Sequence, residues 1–546
     1  MNIGQSLAER AREQAGDIGL IEAATGRAMS FAELNGRADG LAFYLKQKGI
    51  TPGQRVILMV RPSADFICLS FALFKLGAVV ILIDPGMGYC NLLRCIAGVQ
   101  PQVFIGIPLA HLFRLLCRTP FRSVKHSFCC GSSWGLLGPD ICQEAGIATR
   151  SFPVYPAQAD ELAAIIFTTG STGPPKGVRY EHGVFNAQLR LIRDYYQIGP
   201  GQIDQPGFPL FALFAIALGA RAVIPDMDPT RPAQVDPRKF VRSLQEQKVT
   251  YSFGSPAIWK VVSRYCLEQG IVLDHLQQVL MAGAPIPGDL IARLQAVLPA
   301  RARIHTPYGA TESLPIVSME GKEIVESTWP LSRKGHGFCV GRALPGMEIR
   351  VIALSDAPVA LWQDALCLPV GEIGEIVVRG AVVTRAYDNN DQENRLAKII
   401  DKGSFWHRMG DLGYLDGQGR LWFCGRRAHR VKTATGTLHT IPCEAIINEH
   451  PAVSRSALVG IPDPQHPGWQ QPVMIVEPVK PRQIANVRLL AEVRALAAAS
   501  ALTRSIQLFL LHPDFPVDIR HNAKIFREQL ADWARQKLKR HPCIRS

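Results

Sequence analysis

The sequence predicts an α/β protein with largely parallel sheets that passes into antiparallel or barrel-like sheet and ends in a compact α+β unit. Three textures carry this expectation. Over the first 250 residues helix-like segments alternate with short β-branched runs. Past Val340 apolar and polar residues alternate around Gly-rich turns, and after Gly425-Arg426 a further unit of about 120 residues follows.

Residues 32–48 carry a helical pattern and residues 55–60 a strand. The longest apolar run, 64–83, contains Asp65 and Lys75 and ends in Asp84-Pro85-Gly86, so a buried helix followed by the strand 78–83 explains it better than a membrane span. Residues 103–107 read as another strand. Residues 371–379 and 413–424 alternate around glycine turns, as antiparallel sheet or a small barrel does. In the last unit we expect a helix at 442–449, strands at 456–460 and 473–477, and a helix at 484–499. A final helix at 523–540 sets Phe526, Leu530, Trp533 and Leu538 near one face, which docks on that unit.

At 546 residues the chain is too long for one core and suggests three or four units at roughly 150 residues each. Glycine and proline are scattered, with no repeat or low-complexity tract, so disorder is not indicated. The net charge of +14 favours polyanions such as nucleotides, nucleic acid or anionic lipid. It is spread along the chain and dense only at Arg535, Lys537, Lys539, Arg540 and Arg545, where a solvated helix face accounts for it. No nucleic-acid signature stands beside it, so no nucleic-acid partner is expected. Thirteen cysteines without a C-x-x-C pair read as cytosolic thiols, and the acid-containing start is neither a secretory signal nor a typical transit peptide. A cytoplasmic protein without an integral membrane segment is expected.

Residues 168–178 read Thr-Thr-Gly-Ser-Thr-Gly-Pro-Pro-Lys-Gly-Val. Gly170, Gly173 and Gly177 let backbone N–H groups approach an anion, Thr168, Thr169, Ser171 and Thr172 supply hydroxyl donors, and Lys176 supplies a cation. The loop is built to hold phosphate. It is not a Walker A sequence, because Lys176 lies between Pro175 and Gly177 rather than opening a helix. Three more constellations follow. Tyr308-Gly309-Ala-Thr311-Glu312-Ser313 offers a ring, flexible backbone, a hydroxyl and a carboxylate that could stack a base and hold a metal. Asp411, in Gly410-Asp-Leu-Gly413, could accept two hydrogen bonds from a diol. Lys524 opens the last helix, where the helix dipole disfavours a cation. Each of the three, taken singly, is also an ordinary surface feature.

In this order, with Gly425-Arg426, these segments resemble the adenylate-forming superfamily of acyl-CoA synthetases, luciferases and peptide-synthetase adenylation domains. Met281-Ala-Gly283-Ala284-Pro285, residues 405–411 and Thr440-Ile-Pro-Cys-Glu444 agree, and the resemblance covers nearly the whole chain. It implies a large N-terminal domain, 1–425, of two α/β subdomains plus a small β-barrel-like subdomain, and a mobile α+β C-terminal domain, 426–546, carrying Lys524. It implies ATP and Mg²⁺ as cofactors. Residues 168–177 would close over the β- and γ-phosphates, Gly283, Ala284 and Tyr308 would surround adenine, and Gly309 would belong to the ATP site. Thr311 would contact the α-phosphate, Glu312 would hold Mg²⁺, Asp411 and Arg426 would bind ribose, and Lys524 would bridge the carboxylate and the α-phosphate.

Departures from the commoner pattern narrow the resemblance. Ala428 stands at the hinge where acyl-CoA synthetases usually carry a charged or polar residue, and Asn522-Ala-Lys524 replaces Ser-Gly-Lys. Together with residues 83–88, 206–232, 425–431 and 515–524, these features look like the olefin β-lactone synthetases of bacterial long-chain hydrocarbon biosynthesis. That branch implies adenylation of a long-chain 2-alkyl-3-hydroxyalkanoic acid and attack by its own 3-hydroxyl to give a β-lactone. Phe208, Leu210, Phe211, Leu213 and Phe214 suit alkyl chains or core packing equally. His182 and His429 are candidate bases by residue type alone. Two other functions stay open: a long-chain acyl-CoA ligase, and a non-catalytic nucleotide- or lipid-binding relative. So does docking of the basic C-terminus on a pathway enzyme or a membrane.

Overall fold

The computed structural model describes residues 1–132, 136–168, 174–208, 210–480, 487–517 and 525–540. Two largely parallel sheets form its first half. The six-stranded sheet runs His126–Cys129, Val103–Gly106, Arg55–Met59, Val79–Leu82, Leu162–Thr168, Lys176–Glu181, and only the last strand is antiparallel to its neighbour. Val-Val-Ile-Leu at 79–82 has no polar position because helices cover both faces of such a sheet. The adjoining helix, Ala64–Leu76, is buried nearly all round, as an apolar helix without a polar face must be. Ser63 caps its start, accepting from Phe66 N at 3.2 Å, and Gly77 ends it at φ 75°, a left-handed conformation that only glycine adopts without strain. The lysine inside the apolar run is explained too: Lys75 Nζ lies 2.5 Å from Asp39 Oδ1, so the buried charge is paired. No helix among the described residues is long and apolar enough to cross a membrane.

The seven-stranded sheet runs Arg303–His305, Gln278–Met281, Tyr251–Gly254, Ile203–Asp204, Arg221–Ile224, Ile18–Glu22, Ala28–Ser30, parallel except for the last pair. An eight-stranded antiparallel sheet follows, and its path runs open from Tyr308–Ala310 to Glu348–Ile352. Its neighbours Ser404–Leu415 and Leu421–Arg426 set Asp411 directly opposite Arg426.

The last unit is a three-stranded sheet between helices. Past an irregularity between Val453 and Arg455, strands Val453–Pro462 and Gln470–Pro478 alternate, sending Leu458, Met474 and Val476 toward helices Thr440–Ile447 and Val487–Ala498, and Ala457, Val459, Val473 and Ile475 toward Arg527–Arg540. Leu530, Ala534 and Leu538, four apart, form the docking face of that last helix. The expected face is therefore corrected: Phe526 precedes the helix and is exposed, and Trp533 only flanks the cluster, because a three-residue step from 530 turns it off the buried stripe. The unit meets the preceding part of the chain through Arg333, in the helical segment Ser332–His336, to Glu449 at 2.6 Å, and through Arg430 to Asp356, in the loop after Glu348–Ile352, at 2.6 Å.

Candidate active site

Where the sheets and the last unit meet lies a cavity of about 1960 Å³. It gathers Thr168, Lys176, Gly283, Ala284, Tyr308, Gly309, Thr311, Glu312, Asp411 and Arg426 from segments far apart in the chain. The remaining expected residues, Thr169, Gly170, Ser171, Thr172, Gly173 and Lys524, lie outside the described residues.

Thr168 ends one strand and Lys176 opens the next, and the two are register partners. The two strands pair antiparallel, and Lys176 begins a strand rather than a helix. Lys176 Nζ sits 2.6 Å from Glu393 Oε2 and 5.2 Å from the centre of the Tyr387 ring, held at the cavity wall while remaining partly exposed.

Thr311 and Glu312 are the two loop residues of a second hairpin, since Ala310 pairs with Ser313. Gly309 is required there, because a Cβ would collide with the Ser313 carbonyl oxygen. Both loop carbonyls are pinned: Tyr180 Oη donates to Thr311 O at 2.5 Å, and Thr384 donates to Glu312 O through N at 2.9 Å and Oγ1 at 3.0 Å. The Glu312 carboxylate accepts from Tyr387 Oη at 2.9 Å. Lys398, which donates to the Thr384 carbonyl, lies nearby and is half-buried, and desolvation lowers its pKa to about 7 against the pull of Glu312 and Glu181.

Asp411 is the most constrained carboxylate of the site. It is 2% exposed, and its Oδ2 accepts from Tyr308 Oη at 2.5 Å. Its Oδ1 lies 2.8 Å from Arg426 Nη1 but is left without a hydrogen bond of good geometry, so it retains the capacity to accept one from a ligand. Burial raises its pKa, and the charge of Arg426 opposes that rise.

Four of the five apolar candidates line the cavity: Phe208, Leu210, Phe211 and Phe214. Leu213 instead packs against the main core. Phe211 stacks on Phe253 with ring centres 3.6 Å apart. A second apolar wall, including Leu58, Leu82, Leu92 and Phe113, comes from the six-stranded sheet and its helices. Sequence reasoning missed it, because residues lining a cavity and residues filling a core share one pattern.

Of the two histidines, His182 is buried away from the cavity, its Nδ1 accepts from Ile3 N at 3.1 Å, and burial lowers its pKa to about 4; its role is structural. His429 lines the cavity, with Nε2 3.4 Å from Glu528 Oε1. Tyr387, Glu393 and Lys398 were not legible in the sequence either: they stand in no motif, and only the fold brings them to Glu312 and Lys176.

Comparison with known proteins identifies the family. The model of the AMP-binding enzyme family matches residues 7–388. The chain is 45% identical to an olefin β-lactone synthetase of Xanthomonas campestris pv. campestris, with 98% of each chain covered. It is 44% identical to one of Stenotrophomonas maltophilia, with 99% of each covered. Its fold is similar to that of the amide bond synthetase McbA from Marinactinospora thermotolerans, with a TM-score of 0.80 at 21% identity over 97% of this chain and 99% of that one. The chain belongs to the AMP-binding enzyme family and is an ATP-dependent, AMP-forming ligase.

Proposed function

We propose that the chain adenylates the carboxylate of a long-chain 2-alkyl-3-hydroxyalkanoic acid, releasing pyrophosphate, and that the 3-hydroxyl then attacks the acyl carbon to give a β-lactone and AMP. The observation that carries this reading is the cavity: polar residues at its centre, apolar walls from two separate parts of the chain, and a volume of about 1960 Å³. A drug-sized ligand fills roughly 300–1,000 Å³. A nucleotide together with an acid bearing two alkyl branches suits the larger space. The identity to relatives named olefin β-lactone synthetase supports the same product.

In this reading residues 168–177 close over the β- and γ-phosphates, Gly283, Ala284 and Tyr308 surround adenine with Gly309 also at the ATP site, and Thr311 contacts the α-phosphate. The free capacity of Asp411 Oδ1 takes a ribose hydroxyl beside Arg426. Glu312 suits Mg²⁺: Tyr387 engages one of its oxygens, and Mg²⁺ sites on nucleotides use one or two carboxylates with the phosphates themselves. When bound, the ion offsets phosphate charge. Lys524, on a last unit (426–546) that moves over the cavity, brings a second cation to the meeting of carboxylate and α-phosphate, two anions whose approach is otherwise repulsive.

Lactone closure needs no second substrate, because a hydroxyl two carbons from the activated carbonyl acts at high effective molarity, which offsets part of the ring strain. Its proton leaves as the ring closes, and His429 is the histidine placed in the cavity to accept it. The reading is tested by incubating the chain with ATP, Mg²⁺ and a 2-alkyl-3-hydroxy acid without coenzyme A and following the ring protons by NMR. Lactone and AMP are expected. Acyl adenylate that accumulates without lactone, or that is discharged only by coenzyme A, would make the chain an acyl-CoA ligase instead.

A further inference from the structure

Helices Tyr89–Val99 and Pro108–Leu116 border the cavity, and their outward residues form an apolar face. Tyr89 is 74% exposed, Leu109 66%, Leu112 51% and Leu116 77%. All four also line the cavity, so the outer face runs continuously into the interior. The Tyr89 and Phe113 rings, 5.8 Å apart, bridge the two helices at this opening. Exposed leucines are ordinary when scattered, but a contiguous group at the mouth of a cavity marks an interaction site.

The segment that carries this face holds charge of one sign, although Asp84, just before it, also lines the cavity. From Pro85 to Pro139 the chain contains no Asp or Glu, whereas it contains Arg94, Arg114, Arg118, Arg122 and Lys125. Arg94, Arg118, Arg122 and Lys125 are exposed, and Arg114 lies half-buried over the Phe104 ring at 5.5 Å. Apolar side chains on a short helix, followed along the chain by exposed arginines and a lysine, match the headgroup boundary of an anionic bilayer. A second copy of the chain fits poorly, since it would bring the same cations against these.

We propose that this face seats on an anionic membrane surface, and that the long-chain acid passes from the bilayer between the two helices into the cavity. The passage of substrate rests on the function proposed above; the seat itself does not. An acid with two long chains has little presence as a monomer in water, so entry at the bilayer brings the substrate to the cavity without a free aqueous state.

The test is co-sedimentation of the full chain with vesicles of phosphatidylglycerol and phosphatidylcholine, at low and high salt, and with vesicles of phosphatidylcholine alone. The wild type is expected to bind the anionic vesicles and to release as salt screens the contact. Leu115, Arg118 and Arg122 lie outside the cavity lining, so Leu115→Glu/Arg118→Glu/Arg122→Glu is expected to lose binding about tenfold or more, while Arg118→Lys/Arg122→Lys keeps it. Pyrophosphate release with a short, water-soluble 3-hydroxy acid stays unchanged in the charge-reversed variant, and turnover of long-chain acid supplied in vesicles falls with vesicle binding. Vesicle binding without turnover of any acid sinks the lactone reading and leaves the seat standing. Absence of wild-type binding overturns the seat, as does equal binding by the charge-reversed variant. A stable dimer or protein complex that covers this face and is broken by the same substitutions overturns it too.

Discussion

Asp411 carries three demands at once: it is buried, it accepts from Tyr308, and it faces Arg426 across two strands, yet one oxygen retains capacity for a ligand. Hydrogen bonds to a charged group contribute about 1.5–3 kcal/mol, so Asp411→Asn is expected to weaken ATP binding tenfold or more, measured by titration calorimetry. Lys524→Ala is expected to lower adenylation by about 10²–10³ while ATP still binds, the size of loss seen when one preorganised charge is removed. Pyrophosphate release at a near-normal rate in that variant would refute its role. Lys398 gives a pH prediction. Its folded pKa of about 7 lies below the ordinary 10.5, so between these values the unfolded chain holds the extra proton and stability rises with pH. Lys398→Met should flatten that rise, by up to about 1.4 kcal/mol per pH unit at full difference, in urea unfolding at pH 7 and pH 9.5. An unchanged slope would remove Lys398 as its source.

The described elements that carry the site are a hairpin turn, strand ends and the strand Ser404–Leu415, and their residues were the most legible parts of the sequence. Residues 168–178, 308–313 and 410–416 stand out through glycine, hydroxyl and carboxylate positions that neighbouring segments lack; at Thr311-Glu312 the turn itself restricts residue type, whereas Asp411 sits within a strand and not in the turn that Gly-Asp-Leu-Gly suggests. The strands Arg55–Met59 and Val103–Gly106 and the helix Ala64–Leu76 were legible for an equally local reason, being continuous apolar runs of strand and helix length. What escaped was any feature set by a partner far away. Ile18–Glu22 lies beside Arg221–Ile224, and Lys176 pairs with Glu393, across intervals no local pattern spans. The last helix belongs to this scale as well. Leu530→Ala should destabilise the last unit by about 2–5 kcal/mol, because Leu530 is fully buried against its sheet. Adenylation should fall with it while ATP binding survives, since the proposed nucleotide residues sit on the preceding sheets; loss of ATP binding in that variant would contradict this division.

Across the whole molecule, three sheets and the last unit meet at one cavity that none of them forms alone. Adenylation explains the polar centre and the fold. In the proposed reading the apolar walls select the acid, and of these only the one from 208–214 was visible in the sequence, where a run of phenylalanines suits packing or lining alike. The central claim is that the carboxylate is activated and the hydroxyl closes the ring. Converting a 2-alkyl-3-hydroxy acid labelled with ¹⁸O in both carboxylate oxygens tests it most directly, by mass spectrometry of both products. If the account holds, one ¹⁸O appears in AMP and the lactone keeps the other, its ring oxygen coming from the unlabelled hydroxyl. A lactone that keeps both labels, with none in AMP, would show activation at the hydroxyl and contradict it.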